Sequence, residues 1–131
     1  MTLVTDVSYP CIAISVDTPD GKMFVVFFED FKDTLVAIQI HIGKTGTSLA
    51  AWTNGVGILI NSLLEHGATV DKILIALSNI TTHKTVYTNS QIIPIRSGID
   101  GLVYAIMKYN ETKAYYDPRA QRPIFTNDIE R

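Results

Sequence analysis

The chain has 131 residues, of which 47% are hydrophobic and 18% are charged, and its formal net charge is −2. This length and composition suit one compact domain and exclude an intrinsically disordered chain. The low net charge gives no general affinity for long nucleic acids or anionic membranes. One cysteine, Cys11, excludes an internal disulfide and a multi-cysteine metal site. The high apolar fraction favours a homo-oligomer, a dimer or higher, whose faces are partly covered.

No segment predicts export or membrane insertion. Residues 1–10 lack the basic start and the long apolar core of a signal peptide. The apolar runs along the chain are interrupted well short of a membrane span. We therefore expect a soluble, cytoplasmic protein.

The first third of the chain predicts three strands. Residues 11–16 and 34–42 alternate with a period of two, and residues 23–29 form a strand that returns after a Pro-Asp-Gly turn at 19–21. These strands predict an antiparallel meander with one strongly apolar face. A solvated second face would carry more charge than this pattern shows, so we expect that face to meet another subunit or a ligand. On it we place Cys11, Ala13, Ser15, Gln39 and His41 together with Val25 and Phe27.

A long helix is predicted to begin after Gly46, with Thr47 or Ser48 as its cap, and to end at His66–Gly67. Its apolar residues recur at helical spacing, which predicts one buried stripe. The members of that stripe are Leu49, Trp52, Val56, Leu59 or Ile60, and Leu63.

Two further helices and a tail are predicted. Thr69 caps the second helix, which buries Val70, Ile73, Leu74 and Leu77. Ser97 and Asp100 form a capping box for the third, whose stripe contains Leu102, Val103, Ile106 and Met107. From Asn110 onward no helical period is evident, which predicts an extended arm. The fold class is therefore α+β: an antiparallel β-meander with about three helices packed on one face, arranged as a domain at 1–110 and an arm at 111–131.

Residues 41–48, HIGKTGTS, resemble a phosphate-binding loop. A Walker A loop needs a further glycine, separated from its Gly-Lys pair by four residues, and a strand without that glycine stands there instead. A nucleotide hydrolase is therefore disfavoured. The turn still leads into a helix N-terminus, where free N–H groups and the positive end of the helix dipole favour an anion. An anion cradle and a plain strand-to-helix turn both fit this pattern. The residues of the predicted cradle are Gly43, Lys44, Thr45, Gly46, Thr47 and Ser48.

The other reactive residue types form no recognisable catalytic or metal site. The three histidines lack the spacing of metal ligands. We expect each to be on the surface or hydrogen-bonded within the protein. Cys11 is interpreted as a small core residue. Trp52 is interpreted as a core residue, and stacking of its ring on a ligand is the less favoured alternative. Arg119 and Arg122, three residues apart in the tail, suit phosphate recognition, although an ordinary solvated tail also explains them. We expect no catalytic residue, no cofactor and no metal.

The order of these segments resembles the TSCPD domain, found at the end of certain ribonucleotide reductases and as small stand-alone proteins. The resemblance covers Ile12 to Tyr109, and its best markers are residues 43–46, the helix end at 59–67 and residues 97–100. The family motif carries Cys and Pro between its Ser and Asp, where Gly98 and Ile99 stand here. The cysteine often found after the Gly-Lys turn is absent as well. These two departures disfavour a redox or metal role.

A stand-alone domain of this length with a basic, aromatic tail is similar to the phage-encoded Thoeris anti-defence sponges of the first type. That resemblance implies a non-enzymatic protein that sequesters cyclic ADP-ribose-type signals, and in some members cyclic oligonucleotides, between subunits in the host cytoplasm. We place the predicted cradle, Arg119 and Arg122 in the ligand site, with Tyr87, Asn89, Arg96, Ser97 and His41 as further pocket candidates. The alternatives are a ribonucleotide reductase-associated interaction module without its own ligand and a hydrolase of nucleotide signals.

Overall fold

The computed structural model describes residues 10–43, 46–88, 92–117 and 122–123, with the backbone alone at 114–117 and 122–123. It is an α+β fold that begins with an antiparallel meander of β1 (Cys11–Thr18), β2 (Gly21–Glu29) and β3 (Leu35–Ile42), in the order β1-β2-β3. The predicted strands, their order and the Pro-Asp-Gly turn are thus confirmed, and Gly21 has the positive φ of 119° that this turn requires.

The sheet register corrects one part of the predicted second face. Val25 pairs with Ile14 and Ile40, and Phe27 pairs with Ile12 and Ile38, so both lie on the core face and are fully buried. The prediction placed them on the opposite side because the phase of β2 cannot be read from a run that is apolar at nearly every position. The side chains opposite Ser15, Ala13 and Cys11 are instead Phe24, Val26 and Phe28.

The outer face of the meander is therefore more apolar than predicted. Phe24 is 46% exposed, and Val26 and Phe28 are half-buried. Cys11 lies on this face and is exposed, so its interpretation as a core residue was wrong.

Three helices and two short hairpins complete the described part of the fold. The helices are α1 (Ser48–Glu65), α2 (Val70–Leu77) and α3 (Gly98–Tyr115), and the hairpins are β4 (Val86–Thr88) with β5 (Ile93–Ile95), and β6 (Tyr116–Asp117) with β7 (Arg122–Pro123). Helix α1 packs along β3, and α3 packs across β1 and β2. The core between the sheet and the helices contains Val16, Met23, Val25, Phe27, Ile38, Ile42, Ile60, Ile73, Ile95, Leu102, Ala105, Ile106 and Tyr109.

The predicted caps are confirmed. The side chain of Thr47 accepts a hydrogen bond from the Ala50 N–H, and that of Thr69 accepts one from the Lys72 N–H. Gly67 has a φ of 88° just beyond the C-cap of α1, where a residue with a Cβ would be strained. Local sequence therefore determines where α1 and α2 begin and where α1 ends.

The buried stripe of α1 agrees with the predicted one in part. Ile60, one of the two predicted alternatives, is buried, and Leu49 and Val56 pack against the core as predicted. Trp52 is 78% exposed, and Leu59 and Leu63 are exposed as well, whereas Gly57 is buried. The core interpretation of Trp52 was therefore wrong. The helix carries apolar residues on two sides, and periodicity alone does not say which side meets the sheet.

Helix α3 runs farther than predicted. Its cap was correct: Ser97 Oγ accepts the Asp100 N–H at 2.9 Å, although the Asp100 carboxylate accepts the N–H of Arg96 instead of that of Ser97. The extended arm predicted from Asn110 was wrong as far as Tyr115, because the helix continues to that residue. The boundary predicted at 110 thus falls inside α3.

A buried polar cluster attaches the end of α3 to the sheet. Glu29 is 4% exposed, and its carboxylate accepts a hydrogen bond from the Tyr109 hydroxyl at 2.6 Å. The same carboxylate forms an ion pair with the Lys113 ammonium group at 3.0 Å. The Tyr109 ring stacks on Phe27 with centroids 4.4 Å apart. Burial, and then the hydrogen bond to Glu29, raise the pKa of Tyr109 well above its ordinary value. The cluster pairs a buried carboxylate with two donors, as burial of a charge requires.

Candidate functional site

A groove of about 530 Å³ runs between the outer edge of β3 and helix α1. One wall is the strand from Ile38 to Ile42, and the end of the groove is the two-glycine turn. The volume falls within the 300–1,000 Å³ typical of sites for small molecules. The facing wall is α1, which contributes Thr47, Ala50, Ala51, Asn54, Gly57, Ile58 and Asn61.

Asn61 fixes the geometry of the strand edge in this groove. Its side-chain oxygen accepts the Ile38 N–H at 2.8 Å, and its side-chain nitrogen donates to the Ile38 carbonyl at 3.1 Å. Both backbone groups of Ile38 therefore point away from β2. In an antiparallel pair this orientation repeats at every second residue, so the N–H and C=O of Ile40 point to the same side.

The edge at Ile40 differs from the edge at Ile38 in what faces it. Helix α1 runs antiparallel to β3, and Gly57, one turn before Asn61, lies level with Ile40: a Cβ at Gly57 would be 3.8 Å from Ile40 Cδ1. A glycine brings no side chain to the strand edge. Within the described residues β3 pairs with β2 alone, and no hydrogen bond of the Asn54 side chain is found. The polar edge of Ile40 and the Asn54 amide are thus directed into the groove.

The end of the groove contains the predicted turn. Gly43 and Gly46 have φ values of 71° and 88°, in the left-handed region that favours glycine. The turn enters α1 directly, and the Thr47 side chain occupies the Ala50 N–H. The N–H groups of Ser48 and Leu49 have no acceptor within the helix because they belong to its first turn.

The described lining of the groove contains no acidic side chain that would repel an anion. Among the described residues that line it, His41 is the titratable one, and no carboxylate is present. His41 is exposed at the groove edge. A phosphate at the turn would therefore meet backbone N–H groups and hydroxyls without repulsion from a nearby acid.

The structure brings part of the predicted site together. Gly43, Gly46, Thr47 and His41 line the groove, and Ser48 begins α1 beside it. Lys44 and Thr45 lie outside the described residues, as do Asn89 and Arg119, and Arg122 is described by its backbone alone in β7. Their assignment to the site stays a prediction.

Three other candidates lie elsewhere. Arg96 donates through Nε to Asp100 at 3.2 Å, and the Ser97 hydroxyl donates to the Ile80 carbonyl while it caps α3. Tyr87 is exposed on β4. None of the three lines the groove. The contacts of Arg96 and Ser97 stabilise the start of α3.

Sequence reasoning missed the side of α1 that forms the groove wall. Asn54 and Asn61 are seven residues apart, so they lie on the same side of the helix, and Gly57 lies between them. Two amide side chains at this spacing, beside an apolar stripe, can indicate a polar side of a helix that faces another element. Its partner on β3 is 23 residues away along the chain, which no local pattern reveals.

Comparison with known proteins decides the family. A model of the TSCPD domain matches residues 7–110. The chain belongs to the TSCPD domain family. The TSCPD domain is known as a ribonucleotide reductase-associated module. No curated protein and no solved structure matches this TSCPD chain.

Two negative findings concern the described part of this TSCPD chain. No group of three or more His, Cys, Asp or Glu side chains there is arranged to hold a metal ion. None of the described helices combines the length and the apolar character that crossing a membrane requires.

Proposed function

We propose that this TSCPD protein is a non-enzymatic binder that sequesters a phosphate-bearing nucleotide signal of the cyclic ADP-ribose type. The observation that carries the proposal is the groove itself, which joins an acid-free turn at a helix N-terminus to a strand edge and an amide side chain. A nucleotide has the matching polarity, with phosphate at one end and a base with hydrogen-bonding edges at the other. Tight binding would lower the free signal by mass action, and this needs no catalytic group.

The proposed phosphate end of the site is the turn with its flanking residues. Gly43, Gly46, Thr47 and Ser48 would supply backbone and hydroxyl donors, and no carboxylate stands among the described residues that line the groove. Lys44 and Thr45 complete the sequence of the turn, and Lys44 would add a positive charge. Arg119 and Arg122 would clamp a pyrophosphate from the same or a neighbouring subunit.

A retention assay tests this function. The purified protein is incubated with cyclic ADP-ribose isomers and cyclic oligonucleotides, free ligand is removed, and the protein is heat-denatured so that the released compound can be identified. Intact ligand supports sequestration, and altered ligand would show a hydrolase instead. If micromolar protein retains no compound, sequestration and hydrolysis are both rejected.

Variants then separate the site from the function. Lys44→Ala and the double variant Arg119→Ala/Arg122→Ala should each retain less ligand, whereas Lys72→Ala on α2, which removes a lysine that does not line the groove, should retain as much as the wild type. Normal retention by the Lys44 and arginine variants would reject these site residues while leaving the function in place.

A second candidate function is an interaction module associated with ribonucleotide reductase. The outer face of the meander favours it, because Phe24 is 46% exposed beside Val26 and Phe28. An apolar patch of this kind marks a protein contact. Independently of any reductase, we propose that a second copy of the chain covers this patch, which makes the protein a homo-oligomer. Light scattering should then report a dimer or higher for the wild type and a monomer for Phe24→Asp, whereas a monomeric wild type would argue against self-association.

A further inference from the structure

The contact between Asn61 and Ile38 shows one kind of group that fits the backbone edge of β3. A carboxamide presents an acceptor and a donor side by side, and the Ile38 N–H and C=O bind the two together at 2.8 and 3.1 Å. Adenine presents the same arrangement on one edge, with N7 as the acceptor and the N6 amino group as the donor. A strand edge that binds a carboxamide in this way is therefore also complementary to adenine.

The next position on this edge is open to a ligand. Ile40 presents the same pair of backbone groups to the groove, and the helix residue level with it is Gly57, which has no side chain to fill the edge. Asn54 and the exposed Ile58 also line the groove, so a planar base in it would have a polar and an apolar neighbour.

An added peptide strand fits this edge less well than a base. Asn61 already binds the backbone N–H of Ile38, and the strand gives way to the turn at Gly43. The open part of the strand edge lies between these two residues. Strands in globular proteins are usually about 3–10 residues long. A ligand that needs one residue of edge is favoured over one that needs several.

We infer that the backbone N–H and C=O of Ile40 form an adenine-binding subsite, in which the N–H donates to N7 and the C=O accepts from N6. This inference rests on the proposed function and assigns a binding position to the adenine of its ligand. The turn at Gly43 follows Ile40 by three residues, which is roughly 10 Å along a strand. A ribose with a pyrophosphate covers this distance, so the phosphates would reach the turn.

The ligand side of the test changes one hydrogen bond at a time. Calorimetry compares cyclic ADP-ribose with cyclic inosine diphosphate ribose, which carries an oxygen in place of the N6 donor, and with 7-deaza cyclic ADP-ribose, which lacks the N7 acceptor. Each analogue is expected to bind at least tenfold more weakly. Binding of either analogue within twofold of cyclic ADP-ribose would overturn the subsite.

The protein side fills the open edge. Gly57→Asn places a carboxamide one helical turn before Asn61. There it can hydrogen-bond to the N–H and C=O of Ile40 in the way that Asn61 binds those of Ile38. Its Cβ would lie 3.8 Å from Ile40 Cδ1, an ordinary van der Waals contact. We expect at least a tenfold loss of affinity for cyclic ADP-ribose. The matched control is Gly55→Asn, since Gly55 is exposed on the same helix, does not line the groove and has no atom within 4 Å of an added Cβ.

The outcomes separate the subsite from the function. Retention of full affinity by Gly57→Asn, or an equal loss in Gly55→Asn, would overturn the subsite while the retention assay still supports sequestration. If circular dichroism shows that Gly57→Asn is unfolded, the two analogues decide alone. Failure of the wild type to bind any of the nucleotides rejects the proposed function and the subsite with it.

Discussion

Replacement of Asn61 by alanine tests whether its side chain stabilises the edge of the sheet. The substitution removes two hydrogen bonds to Ile38, one at 2.8 Å and one at 3.1 Å. Each hydrogen bond contributes about 0.5–1.5 kcal/mol net, so the loss is about 1–3 kcal/mol. We expect a value near 2 kcal/mol because Ile38 is buried, while the groove lets water reach part of its freed edge.

Asn54→Ala is the matched control for this variant. Asn54 lies on the same helix, is exposed, and has no side-chain hydrogen bond within the described residues. Both substitutions gain the same helix propensity, a few tenths of a kcal/mol, so the difference between the two variants isolates the contact with Ile38.

Urea denaturation measures the difference. At an m-value of about 2 kcal/mol per molar, a loss of about 2 kcal/mol lowers the midpoint by about 1 M, and the m-value itself should not change. If the free energies of unfolding of Asn61→Ala and Asn54→Ala differ by less than about 0.5 kcal/mol, the amide does not hold the strand edge. The comparison that places the adenine subsite at Ile40 would then lose its basis.

Two further predictions concern packing and pH. Gly101→Ala should lower the free energy of unfolding by about 1–3 kcal/mol, because its Cβ would lie 2.5 Å from Thr18 Cγ2, whereas Gly55→Ala, which meets nothing within 4 Å, should raise it by about 0.4–1 kcal/mol. Equal effects in thermal melts would argue against the close approach of α3 to β1. The pKa of Tyr109 is raised in the folded state, so above pH 10 the folded protein keeps a proton that the unfolded chain releases. The free energy of unfolding should therefore fall above pH 10, with Tyr109 contributing up to about 1.4 kcal/mol per pH unit. Tyr109→Phe should remove that part of the alkaline slope in denaturation titrations and cost about 1–2 kcal/mol at pH 7 through the bond to Glu29; an unchanged slope would contradict the assignment.

The candidate site was predictable in part. The turn from β3 into α1 could be found from its glycines and its cap, since both are short-range features of the chain. The groove wall could not, because it depends on which side of α1 faces β3. Trp52 and Leu59 occur at the same helical spacing as the true core residues, and they are exposed.

The sequence by itself determined the local features of this protein. Period-two alternation predicted β1 and β3, hydroxyl side chains predicted the starts of α1 and α2, and Gly67 predicted the end of α1. Each of these depends on interactions within a few residues, such as a cap that binds the N–H three positions later. Such interactions need no contact between elements that are distant in sequence.

Only the tertiary structure decided which surfaces meet. The Asp20 carboxylate accepts the Gly98 N–H across 78 positions of the chain, and Glu29 accepts the Tyr109 hydroxyl across 80. The phase of β2, the buried side of α1 and the open edge at Ile40 were settled in the same way. Each depends on packing between elements distant in sequence, where burial of apolar surface outweighs local preference, and a pattern that is apolar on both sides of a strand or a helix cannot make that choice.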